Sequence, residues 1–280
     1  MKDVAINLDY LTRQYFYFDE PVPYKLKDGM INITPISLRQ SEIFSSSVDI
    51  LNIDKNSIPN AKIIQMSYLQ FIVNVIIADE KKQKDYIAKI SNILIMCLGL
   101  KNPTFVWDNN GVPSIYDSIL QVTITPNQFD EIKRIIMYQN YIHFDDEYIN
   151  PELKQAMDEV DTLKNENLDY PSLERRMAII SSHTGILKKD QEEMTLRSHS
   201  LLFEEVCGEV EFTTVRPISL LCGGNNQIDH WIFKKHKNKF EGYTKSIDAY
   251  TQSMGGAQAV KSSDTSLGDS YMQQINNFNK

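Results

Sequence analysis

Cysteine is scarce. Three thiols, Cys97, Cys207 and Cys222, occur in 280 residues. An odd count without paired spacing excludes a disulfide framework and points to a reducing compartment. Long apolar runs are missing as well. The longest, Phe71 to Ala78, is broken by Asn74 and falls far short of the roughly 20 apolar residues that span a bilayer. The opening Met1-Lys2-Asp3 is polar, unlike a secretory signal. Positive charge is in deficit: 29 Lys and Arg against 37 Asp and Glu leave a net charge of −8. Nucleic-acid binding draws on clustered cations, and the one basic run, Lys234-Lys235-His236-Lys237-Asn238-Lys239, reads as a solvated helix face. These absences predict a soluble cytoplasmic chain with neither a nucleic-acid nor a membrane partner.

What remains is an ordinary globular composition, 42% hydrophobic and 24% charged, in a chain long enough to bury a core without staples. Pro21-Val22-Pro23-Tyr24 must be extended, Lys27-Asp28-Gly29-Met30 is a turn, and Ile31 to Thr34 alternates, so a hairpin is expected over 21–34. Thr34-Pro35 reads as a helix start. Apolar spacing predicts one long helix over 61–78, followed by a partner helix burying Tyr86, Ile90, Ile93, Leu94 and Cys97. A second β unit is expected over 104–124, with Phe105-Val106-Trp107 and Ile119 to Ile124 flanking the turn Asn109-Asn110-Gly111, and Pro113 at a strand edge.

Further along, Thr125-Pro126-Asn127-Gln128 carries a capping box, and the helix it opens turns Phe129, Ile132, Ile135, Ile136 and Tyr138 inward. Asn150-Pro151 opens a polar helix over 153–166. Another helix runs from Ser172 through His183 and is closed by Gly185. A helix over 190–207 follows, with Met194, Leu201, Leu202 and Val206 inward, and a last one spans 228–239. The expected fold is mainly α (α+β), with small β-hairpins near 21–34 and 104–124. Residues 1–124 form an N-terminal α+β region and 125–254 a helical C-terminal region. Residues 255–280, poor in aliphatics, form a disordered tail.

Reactive constellations are weak. Cys207, Cys222, His230 and His236 have zinc-like types, but only the histidine gap fits finger spacing, so buried thiols and surface imidazoles are the expectation. His143, Asp145, Asp146 and Glu147 sit just before the Asn150-Pro151 helix start, where acids complement the helix dipole. Gly223-Gly224-Asn225-Asn226 lacks the Lys-Ser/Thr of a phosphate loop. No nucleophile elbow occurs. The chain reads as non-catalytic, with no cofactor and no metal. Aromatic anchors favour interfaces, and Tyr15, Phe16, Tyr17, Trp107, Tyr141 and Trp231, having few helical partners, are the candidate contact residues.

A series of phrases spans about residues 20–245. It runs Ile33-Thr34-Pro35-Ile36-Ser37, Ile53-Asp54-Lys55-Asn56, Gln65-Met66-Ser67-Tyr68-Leu69-Gln70-Phe71, then Phe129 to Ile136, Tyr138-Gln139-Asn140 and Phe144 to Leu153. Leu173-Glu174-Arg175-Arg176, His183-Thr184-Gly185-Ile186, Glu193 to Arg197 and Asp229-His230-Trp231-Ile232 complete it. In order and flavour the chain resembles tail assembly chaperones of long-tailed bacteriophages infecting Gram-positive bacteria. Cys222-Gly223-Gly224-Asn225 departs from the pattern by its glycines. The resemblance implies a protein that coats the tape measure protein until tail tube subunits polymerise. It implies residence in the host cell cytoplasm, absence from the mature virion, and a longer frameshifted form of the same chain as a further partner. A homo-oligomer is compatible with this role. A helical client is held by helix-in-groove contacts, with avidity from many copies. Two readings from other classes stand beside it: a structural virion component, such as a connector or baseplate subunit, and an enzyme or metal-binding regulator centred on the His-Asp or Cys-His groups above.

The last alternative is open to a direct test. Protein purified without chelators should hold far less than one zinc per chain by mass spectrometric metal analysis, and added zinc should leave its melting temperature unchanged.

Overall fold

The computed structural model describes residues 6–55, 58, 60–78, 81, 83–142, 156–157, 159–162, 171–221 and 232. The architecture is mainly helical with two small antiparallel sheets. The expected polar helix over 153–166, the last helix over 228–239 and the tail over 255–280 lie wholly or largely outside these residues.

Helix α1 (Leu8–Gln14) opens on Asn7, whose side chain accepts from the Tyr10 N–H. The sequence reading gave this stretch no helix. The hairpin is as expected: β1 (Val22–Lys25) pairs with β2 (Met30–Ile33), in the register Val22 to Ile33 and Tyr24 to Ile31. That register turns Val22, Ile31 and Ile33 into the core. Gly29 in the turn lies so close to β5 (Val122–Ile124) that a Cβ there would meet Val122 Cγ1 at 3.3 Å.

Thr34-Pro35 does not start a helix. The chain stays extended through Ser37, and α2 (Ser41–Val48) begins only after a short 3₁₀ turn, Leu38–Gln40. The local Thr-Pro signal is overridden by tertiary backbone bonds. Thr34 N donates to Cys97 O, Leu38 N donates to Met194 O, and Leu196 N donates to Ile36 O. Ile36 N donates to the buried Asn140 side chain at 2.8 Å.

The single helix expected over 61–78 is broken. Met66 and Ser67 are extended, separating α3 (Ala61–Gln65) from α4 (Tyr68–Phe71). Ser67 and Gln70 form a reciprocal capping box, a restart signal that the continuous apolar stripe conceals. From Ile72 to Ile76 the helix widens to π geometry, with Ile77 N bonded to Ile72 O. Helix α5 (Gln83–Leu98) buries Ile90, Ile93, Leu94 and Cys97 as the periodicity predicts.

The second sheet has three strands, not two. β3 (Pro103–Trp107) pairs across the Asn-Gly turn with β4 (Pro113–Asp117), and β4 with β5. Ile119 and Leu120, expected in a strand, are exposed in the β4–β5 turn. Pro113 opens the central strand opposite Trp107, a position that needs no ladder N–H from the strand interior. Gly111 takes φ +74°, and the Asp108 carboxylate ties the turn by accepting from Asn110 N and Val112 N.

Helix α6 (Pro126–Gln139) starts on the predicted Thr125–Gln128 capping box. It buries Phe129, Ile132, Ile135 and Ile136, but Met137 faces inward and Tyr138 is exposed, reversing the expectation for Tyr138. One apolar core runs from Phe16 to Met137 and includes α6. Packing therefore continues across the boundary expected at residue 124. The next elements, α7 (Leu173–Thr184), α8 (Lys188–Gln191) and α9 (Leu196–Leu221), form a separate layer in which Ile180 and Val206 are buried outside that core. Ser172 caps α7, and Gly185 ends it at φ +77°. The helix expected over 190–207 is interrupted at 192–195 and then runs fourteen residues longer than foreseen, through Pro217.

Asp117 anchors the three-stranded sheet. Its carboxylate accepts from the N–H groups of Lys101, Asn102, Ile119 and Leu120. Burial pushes this carboxyl up, but those four donors together outweigh it and hold the pKa below the ordinary aspartate value. The ionised form thus stabilises the fold above the unfolded carboxyl's titration, and the contribution is lost as pH falls through the folded pKa. Asp117→Asn should cost about 1–3 kcal/mol at neutral pH. In urea unfolding the gap to the unaltered protein should close below about pH 4.

Candidate interaction surface

The α9 layer is built from a polar joint outward. Thr195 Oγ1 accepts from Ser198 N, and the Thr195 and Ser198 hydroxyls both donate to the Asp19 carboxylate at 2.6 Å. Asp19 itself sits at φ +56°. An acid at this end complements the helix dipole. In the same turn, the Arg197 guanidinium lies 5.7 Å from the Phe16 ring and 5.5 Å from the Tyr141 ring, and it donates to Tyr138 O at 2.9 Å. Tyr141 then donates its hydroxyl to Glu204 at 3.0 Å. Gln191 Nε2 donates to Met177 O, Ser181 Oγ and Ile186 O, which holds α8 under α7.

Beyond Val206 the helix leaves this support. Cys207, Glu209 to Glu211 and Thr213 to Ile218 are exposed, and Leu221 is exposed as well. Fifteen residues at about 1.5 Å each make a projection of about 22 Å. Val210 follows Val206 by a step of four but is exposed, and Val215, Ile218 (60% exposed) and Leu221 (86% exposed) follow one another at steps of three along one side of the helix. An exposed apolar stripe on a helix is normally covered. The same half carries Glu209 and Glu211 on opposite sides of the helix and a single Arg216, whose guanidinium rests 5.1 Å from the Phe212 ring.

Of the aromatic candidates, Phe16 and Tyr141 meet at Arg197. Phe16 is 2% exposed in the core, so its ring has no free face for a partner. Tyr15 is half-buried against the same core. Tyr141, at φ +58°, is a strut between Arg197 and Glu204. Tyr17 (66%) and Trp107 (57%) are well exposed, Tyr17 beside Phe18 and Trp107 beside Val106. Trp231 lies outside the described residues. The residues that sequence reasoning missed are Val210, Val215, Ile218 and Leu221. The predicted helix ended at residue 207, although the step of four from Val206 to Val210 was a signal of continuation.

A polar cleft of about 600 Å³ opens where the α3–α4 break, the start of α6 and Val112 meet. Lys55 Nζ donates to Ile64 O and Met66 O, pinning the break. Asp130 accepts from Tyr68 N at 2.8 Å. Burial pushes the Asp130 carboxyl up, against the opposing pull of Tyr68 N–H, Lys55 and Lys133. Lys133 lies 3.7 Å over the Tyr68 ring, and Tyr68 donates to Ile50 O and Ile53 O. A raised carboxyl in a cleft is one mark of a functional site. Here the paired charges are engaged in fixing backbone, which is a structural role.

No protein-family model, curated protein or solved structure matches this chain. Among the described residues no three His, Cys, Asp or Glu side chains group as metal ligands. His143, Asp145, Asp146, Glu147, Cys222, His230 and His236 lie outside those residues. Burial pushes the Cys97 thiol up to about 12, which makes it inert, while Cys207 is exposed on α9. Among the described residues no helix is long and apolar enough to cross a membrane.

His199 on α9 is 1% exposed, and its Nε2 has no hydrogen-bond partner. Burial and the neighbouring Arg176 both lower its pKa. Unfolding therefore takes up a proton as pH drops through the ordinary histidine range near about 6.5, and stability falls with it. Urea unfolding from pH 8 to pH 5.5 should show this loss, His199→Gln should remove most of it, and hydrogen exchange should place the loosening at α7 and α9.

Proposed function

We propose that this chain holds an apolar, helix-forming client, and that it is a phage tail assembly chaperone whose client is the tape measure protein. The observation that carries the reading is the projecting half of α9, where Val210, Val215, Ile218 and Leu221 stand exposed on a helix clamped at its other end. Exposed apolar residues at helical spacing suit helix-in-groove recognition. The phrase resemblance supplies the client's identity, and the overall net charge of −8 favours solubility of a loaded complex. Weak contacts at each copy suffice where many copies line one elongated client. In this reading the protein acts in the host cytoplasm and is released before the virion is complete.

Co-expression tests the proposal. The tape measure protein should stay in the soluble fraction with the unaltered chain, and several-fold less should do so with Ile218→Lys and Leu221→Lys combined. Those exposed changes should move stability by no more than about 0.5 kcal/mol. A tape measure protein that precipitates beside abundant folded chain ends the proposal, and stoichiometric recovery of the chain from purified particles replaces it with a structural virion component.

A further inference from the structure

The three-stranded sheet ends on an open strand. Its order is β3-β4-β5, and among the described residues no strand pairs with the outer side of β3. The turn fixes which way the backbone groups of β3 point. Asp108 N donates to Val112 O, one step beyond the Trp107–Pro113 pair. Bonded and non-bonded pairs alternate along an antiparallel ladder. Thr104 and Val106 therefore turn their N–H and C=O groups toward β4, while Phe105 and Trp107 turn theirs outward. Pro113 agrees with this phase, because it has no N–H to give Trp107. Pro103 adds an outward carbonyl and no donor.

The side chains of β3 are as incompletely covered as its backbone. Phe105 and Trp107 share the core face with their cross-strand partners Ile115 and Pro113. Both partners are buried, yet Phe105 is only half-buried and Trp107 is 57% exposed. Thr104 and Val106 are exposed on the other face. Edge strands are commonly blunted by charged side chains, but none occurs from Asn102 to Trp107.

We infer that this edge pairs with β3 of a second copy, antiparallel about a two-fold axis at Phe105, so that one sheet runs through both subunits. The strand's pattern is symmetric about that point. Each Phe105 faces its counterpart, each Trp107 covers the other copy's Pro103, and each Thr104 lies opposite Val106. Phe105 N–H reaches the opposing Phe105 C=O and Trp107 N–H reaches the opposing Pro103 C=O, so both outward donors of the strand are used. Antiparallel pairing also brings the Lys101 end of each strand beside the Asp108 end of the other, whereas parallel pairing sets like charges together. This interface goes beyond the client-holding reading of α9 and does not depend on it.

Sedimentation equilibrium of the full chain should give a dimer. Thr104→Lys with Val106→Lys sets lysine opposite lysine across the axis and should weaken the dimer at least tenfold. Thr104→Lys with Val106→Glu sets lysine opposite glutamate and should restore it. Both variants lose the Thr104 hydroxyl bond to Tyr116 O, so their difference reads the pairing and not that bond, and circular dichroism should show the same fold in both. Thr104 and Val106 of opposing copies form a non-hydrogen-bonded pair, in which side chains approach closely. Thr104→Cys with Val106→Cys should therefore give, on mild oxidation, a dimer linked from residue 104 to residue 106 by peptide mass mapping. A dimer equally stable in the two charge variants, or linked at other residues, assigns the contact to another surface and overturns the inference. A monomer overturns it as well. Slow hydrogen exchange at the Phe105 and Trp107 amides of that monomer would give the edge to a segment of its own chain.

Discussion

Everything on the α9 side of the molecule depends on one buried amide. Asn140 follows the last turn of α6, where its Nδ2 donates to Ile136 O, while its Oδ1 accepts from Ile36 N at 2.8 Å. That second bond holds residues 34–38 extended against the end of α6. The extended stretch then offers its remaining backbone groups to both sides: Thr34 N to the end of α5, Ile36 O to Leu196 N, and Leu38 N to Met194 O. A buried polar group left without a partner costs about 1–3 kcal/mol. The arrangement is therefore stable only when the core, the strap and the start of α9 are all in place together.

This interlock explains why a Thr-Pro pair with good helix-starting chemistry remains extended. The local signal concerns a capping preference of about 1 kcal/mol. Three backbone bonds and one side-chain bond across the strap outweigh it. The same competition decides the α3–α4 region in the other direction. There the apolar stripe is continuous, but Lys55 draws in the Ile64 and Met66 carbonyls and Asp130 takes the Tyr68 N–H. The helix breaks where those long-range partners hold it open, and Ser67 restarts it.

Much of the fold was legible because its signals are local. The 21–34 hairpin, the capping box at Thr125 and Gln128, the buried face of α5 and the Gly185 stop each follow from residues within one or two turns of each other. The misses share a different cause. Asp117, which the sequence reading passed over, is fully buried where four N–H groups from two loops converge on it. No sequence spacing announces such convergence. The candidate surface was hidden for a similar reason. Aromatic residues attract attention as contact anchors, but Phe16 and Tyr141 are drawn to Arg197, a cation 181 and 56 positions away along the chain. The aliphatic end of α9 lay behind a glycine and a proline that a long helix tolerates.

The proline matters to how α9 stands. Pro217 has no N–H for the Thr213 carbonyl, so one rung of the ladder is absent midway along the projecting half. The Thr213 and Thr214 hydroxyls lie just before that gap and bond to the carbonyls of Glu209, Val210 and Glu211, a pattern associated with helix bending. The clamped half, by contrast, is tied through Thr195, Arg197, Ser198 and the buried His199. The helix therefore joins a fixed base to a compliant tip, and the apolar residues Ile218 and Leu221 fall on the compliant side. The buried polar joint and the proline gap thus divide one helix into two halves held by different means, long-range side-chain bonds at the base and local hydroxyl-to-carbonyl bonds beyond it.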